Sequence, residues 1–129
     1  MTFPIAQEMT ISNQALFNRI AKHLLTQQEC SYDAYTCLYR GPNGLKCAVG
    51  ALIDDEHYSP DLENDSPLDA EVRKALEDSL HARLTTDNVQ LLLELQDIHD
   101  HADVENWSDQ LAMKAEEYKL EYKPMELLA

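Results

Sequence analysis

The run Thr86–His101 constrains the fold of this chain more than any other stretch. On a wheel of about 100° per residue, Gln90, Glu94, Asp97 and His101 form one narrow polar stripe. Val89, Leu91, Leu92, Leu93, Leu95 and Ile98 occupy most of the remainder. A helix apolar over so much of its circumference is a central one, covered by neighbours on several sides. Gln96 and His99 fall inside the apolar arc, with Asp100 at its edge. Buried polar groups need partners, so each of these must meet one from another element.

The neighbours are also legible as helices. After an arm over residues 1–10 that holds Pro4, Ser12 is an N-cap type of residue. Behind it Leu16, Phe17, Ile20, Ala21, Leu24 and Leu25 share half a wheel, with Asn18, Arg19 and Lys22 opposite. His23 and Gln27 lie at the margin of that apolar arc, and the pattern stops near Gln28. Ser66-Pro67 is a cap and first-turn pair for a helix whose stripe is Leu68, Val72, Ala75, Leu76 and Leu80. Asn106 can cap a last helix bearing Trp107, Leu111, Ala112, Ala115 and Tyr118, which Pro124 breaks; residues 121–129 are then a tail free to pack or fray.

Residues 29–36 read as a polar connection. Cys37–Ile53, which follows, contains all three glycines of the chain. Tyr35–Tyr39 is rich in β-forming types, and Gly41-Pro-Asn-Gly44 has turn chemistry, so a small hairpin is expected around residues 35–47. It would bring Cys37 near Cys47. Cys47–Ile53 reads as a short buried helix in which Gly50 permits the close approach of another element, and it would dock near Gln96 and His99. The expectation is a mainly α protein of about five helices with one small β-hairpin, in a single domain spanning 1–129.

A formal charge of −14 and a pI near 4.5 are the strongest compositional signals. Such a chain is repelled by phosphate backbones, so direct nucleic-acid binding is not expected. No apolar run approaches the roughly 20 residues a bilayer span needs. The N-terminus lacks the basic and apolar regions of a secretion signal, and a cytoplasmic setting is expected. The three cysteines, Cys30, Cys37 and Cys47, are expected as thiols in a reducing compartment. Between Lys46 and Arg73 no basic residue except His57 interrupts Asp54, Asp55, Glu56, Asp61, Glu63, Asp65, Asp69 and Glu71. These carboxylates are the candidate contact with a partner protein that has a basic surface, in competition with a plain solvated loop. Asp61-x-Glu63-x-Asp65 has the alternation of a calcium loop, but Ser66 and Val72 stand where that loop needs glycine and glutamate.

Two constellations could carry chemistry. At a helix start, Cys47 would have a lowered pKa, with His99 as base and Asp100 to orient it. Against this, adjacent helical residues point about 100° apart, and Cys47 and His99 are equally good core residues. Cys37 and Cys47 with His23 and His99, or with His57 and His101, would suit tetrahedral zinc, but Cys-x9-Cys is not a recognised ligand spacing. No metal and no cofactor are expected.

Several of these residues recur in one pattern: Cys37-x-Tyr39-Arg40, Gly44-Leu-Lys-Cys-Ala-Val-Gly-Ala-Leu-Ile53 with Asp54-x-x-x-Tyr58, and Leu95-Gln96-x-x-His99-Asp100. Preceded by His23-Leu-Leu-x-Gln27, it resembles small uncharacterised proteins of tailed bacteriophages and prophages, over residues 16–112. The resemblance implies a phage or prophage setting and brings no activity with it. The reading that follows is a non-enzymatic accessory protein that binds a host or phage protein through its acidic face, in the manner of a nucleic-acid-mimicking inhibitor. A small enzyme built on Cys47 and His99, or a zinc-stabilised structural module, are the alternatives.

Overall fold

The computed structural model describes residues 9–33 and 36–129; most of the expected N-terminal arm, and Tyr35 of the expected hairpin, lie outside them. Five α-helices occur among the described residues: α1 Asn13–Gln27, α2 Ala70–Leu80, α3 Thr86–His101, α4 Trp107–Glu117 and α5 Pro124–Leu127. The protein is mainly helical, with no strand among the described residues.

Helix α1 starts as its sequence indicates, with Ser12 Oγ accepting the Ala15 N–H, and stops where Gln28 turns left-handed at φ 55°. Its face of Leu16, Phe17, Ile20, Ala21 and Leu24 is fully buried, each large side chain adding about 1.5–3 kcal/mol. Helix α3 begins with a capping box between Thr85 and Asn88. The Asn88 side chain also donates to Asn13 Oδ1 at 2.7 Å, which ties the start of α3 to that of α1. These two helices form the centre. Helix α4 packs on both, α5 packs on α1, and a 3₁₀ turn at Gly50–Leu52 wedges between α1 and α2.

Two expectations need adjustment. The Ser66-Pro67 pair does not open α2; Ser66–Asp69 forms a separate turn, with Ser66 N–H donating to Asp69 Oδ2, and the helix begins at Ala70. Leu68 is therefore not on the buried stripe but 68% exposed. The short helix over Cys47–Ile53 is a single 3₁₀ turn, because Ile53 is drawn into extended backbone at φ −96°, ψ 119°. Its side chains are nonetheless core: Cys47, Ala48, Val49, Leu52 and Ile53 are all buried. In the hairpin region the described residues make only isolated antiparallel bridges, Arg40 with Lys46 and Tyr32 with Cys37.

Past α4 the chain packs rather than ending at the helix. The Tyr122 ring meets Phe17 edge-on at 5.7 Å, Glu121 exchanges hydrogen bonds with Gln14, and Pro124 opens α5 instead of merely closing α4.

Candidate functional site

The polar residues on the apolar arc of α3 all meet partners from the segment 30–50. Gln96 Oε1 accepts the Val49 N–H at 2.9 Å, and Gln96 Nε2 donates to Asp100 Oδ1 at 2.7 Å. His99 is fully buried, stacked on Trp107 at 5.7 Å between ring centroids. Its Nε2 accepts the Ser31 N–H at 2.9 Å. The imidazole proton therefore sits on Nδ1, which donates to Asp100 Oδ1 at 2.8 Å. The Cys37 thiol donates to the Asp100 side chain, and Cys30 Sγ donates to the His99 carbonyl at 3.5 Å. Asp100 is thus the hub of a closed network. The wheel argument against an Asp100–His99 contact fails here: it fixes the directions of the Cβ atoms, whereas the ring nitrogen and the carboxylate turn toward each other beyond them.

Burial pushes the Asp100 carboxyl up, but hydrogen bonds from His99, Gln96 and Cys37 outweigh it and hold it below the usual value. The thiols move the other way. Burial and then the neighbouring Asp100 carboxylate push Cys37 up to about 12, and burial pushes Cys47 up to about 12 despite the Gly50 N–H and Gln96 that favour its thiolate. Burial also raises Cys30, with the Asp100 and Asp103 charges adding to it.

This arrangement bears directly on both chemical readings. Cys47 lies at a buried turn rather than at the start of a helix, and its pKa is raised rather than lowered. Both nitrogens of His99 are engaged, by Ser31 and Asp100, so neither is free to take a thiol proton. As for a metal, Cys37, His99 and Asp100 bring donor atoms within 4.8 Å of one another, as do the more exposed Asp54, Glu56 and His57. At the first cluster, a cation on His99 Nδ1 would force a proton onto Nε2, donor against the donor Ser31 N–H. The donor set does not fit a metal as it is hydrogen-bonded.

His23, a weaker ligand candidate, is occupied elsewhere. Its Nε2 donates to the Lys46 carbonyl at 2.8 Å, while Gln27 bonds both the Lys46 carbonyl and the Lys46 N–H. The pair on the margin of α1 therefore clamps the backbone that leads into Cys47. Burial lowers the His23 pKa.

The acidic segment divides in two. Glu63 is turned inward: its carboxylate accepts the Tyr39 and Arg40 N–H groups at 2.9 and 3.1 Å and the Tyr58 hydroxyl at 2.6 Å. Asp65 is half-buried, and its carbonyl accepts the Tyr39 hydroxyl. Asp54, Asp55, Glu56, Asp61, Asp69 and Glu71 are exposed. Asp55 pairs with Arg40 at 2.7 Å; that guanidinium also bonds the Ile53 carbonyl and lies 4.7 Å over the Tyr58 ring. The segment is thus pinned from beneath while most of its carboxylates face outward.

Between the Asp65–Pro67 stretch, residues 36–39 and the outer face of α3 lies a groove of about 340 Å³. Cys37, Gln96 and Asp100 line it, as do Leu93, Asp97 and Cys47. Sequence reasoning missed Ser31, Cys37 as a partner of Asp100, and the internal role of Glu63. Ser31 stood in a stretch with no periodicity, and Glu63 was one acidic residue among eight. No helix is long and apolar enough to cross a membrane among the described residues. Compared with protein-family models, curated proteins and solved structures, the chain matches none.

Proposed function

We propose that this protein is a non-enzymatic binding module that engages a basic surface on a host or phage protein through its acidic segment, in a cytoplasmic, phage or prophage setting. The observation that carries the reading is the division of the segment 54–71. Glu63 and the backbone of Asp54 and Asp65 fasten it to the rest of the fold, through Tyr39, the Arg40 N–H and Ser79, and six carboxylates are left exposed on it. A fixed array of like charge steers a basic partner and costs little ordering entropy on binding. The enzyme reading is disfavoured by three thiols with raised pKa values and by a histidine with both nitrogens engaged.

The test is retention of host proteins on the immobilised chain at low and at high salt. A partner held at low salt and released at high salt is expected. Retention indifferent to salt, or none at low salt, would sink the proposal.

A further inference from the structure

The groove beside Asp100 differs from the open acidic surface in being two-sided. Leu38, Pro67 and Leu93 make one part of its lining apolar, and Asp65, Asp97 and Asp100 are its acidic residues besides the inward-bonded Glu63. Asp97 is exposed, and its carboxylate lies 2.8 Å from Nδ1 of the equally exposed His101, a pair open to competition from solvent and salt. Asp100 sits deeper, 24% exposed, anchored by its network so that it cannot swing out. At about 340 Å³ the space is at the lower end of the roughly 300–1,000 Å³ typical of ligand sites. It suits one long side chain rather than a folded element.

A long aliphatic stem ending in a cation matches such a lining, since arginine and lysine bury their methylenes against apolar surface while the head reaches a polar group. We infer that the groove receives one basic side chain of the protein partner, its stem against Leu38, Pro67 and Leu93 and its head at Asp65, Asp97 and Asp100. The inference rests on the proposed acidic-face function and deepens it, by adding one specific anchor to a diffuse electrostatic contact. Anchors of this kind, central and partly desolvated, carry most of an interface's energy, whereas rim charges carry little.

The probe is a capped peptide with a single central arginine in an alanine-rich background, set beside its citrulline counterpart of the same shape and no charge. Binding is read from amide chemical shifts on the full chain at low salt. Two isosteric double variants are compared: Asp65→Asn with Asp97→Asn in the groove, and Asp54→Asn with Asp61→Asn on the open acidic segment. Saturable shifts at Thr36–Leu38, Leu93 and Asp97 are expected with the arginine peptide alone. The groove pair should weaken the affinity at least threefold more than the surface pair. If shifts instead fall along residues 54–61, away from the groove, or both pairs weaken binding equally, the groove anchor is wrong while the acidic-face function stands. If the arginine peptide shifts nothing, the groove anchor is wrong, and the acidic-face function stands or falls separately on the salt dependence of partner retention.

Discussion

Asp100 is the residue on which the polar core turns, because one carboxylate accepts from three donors, the fully buried His99 and the half-buried Gln96 and Cys37. Asp100→Ala strands the buried His99 Nδ1–H, at a cost of about 1–3 kcal/mol, and frees the half-buried Gln96 amide to bond solvent. Asp100→Asn keeps an acceptor of the same shape and should lose less. The charge component can be isolated by pH. The folded pKa lies below the ordinary 3.8, so the stabilisation is whole above that value and is lost as pH falls through the lowered one. The stability gap between wild type and Asp100→Asn, from denaturant melts, should be flat at neutral pH and close below pH 3.8. A gap that widens on acidification would show that the carboxyl is instead held neutral.

The thiols give a second check at this scale. In the native protein Cys47 should resist alkylation at neutral pH and Cys37 should react more slowly than free cysteine, whereas all three thiols should react on unfolding. A native thiol that reacts faster than free cysteine would restore the enzyme reading.

Among the elements, the turn at Gly50–Leu52 is the least tolerant of change. A Cβ at Gly50 would lie 2.1 Å from the Tyr39 carbonyl oxygen and 2.8 Å from its carbon, both backbone atoms that cannot step aside. Gly50→Ala should therefore cost at least ~2 kcal/mol by overpacking, and thermal melts of the variant would measure it. An unchanged midpoint would mean that the two segments are not held in contact. The close approach was legible in the sequence as a glycine within an apolar run; the element supplying the neighbour was not.

The same limit runs through the rest of the chain. The period of α1 and α3 was readable because Leu16, Ile20 and Leu24, or Leu91, Leu95 and Ile98, repeat at helical spacing. The wheel also flagged Gln96 and His99 as needing partners. It could not name Ser31 or Val49, since backbone N–H groups from an irregular segment leave no trace in side-chain pattern. Ser66-Pro67 misled for a related reason: the pair forms a turn closed by Asp69, which uses the same residue types as a helix cap.

For the whole molecule the dominant fact is a charge of −14 on a mainly helical frame. Most of it is solvated, and surface pairs such as Lys74–Asp78 contribute little to stability. What distinguishes the segment 54–71 is that it carries no basic residue besides His57 and is fastened to the core by Glu63. The measurement that separates recognition from mere solubility is a salt series of partner retention, run on wild type beside a variant carrying Asp54→Asn, Glu56→Gln, Asp61→Asn and Glu71→Gln. These four carboxylates are exposed and lie outside the Asp100 network, so the fold should survive their loss. The wild type should hold its partner at low salt and release it steeply as salt rises, and the variant should bind more weakly with a shallower dependence. Equal retention of both proteins at every salt concentration would contradict the proposed role of this face.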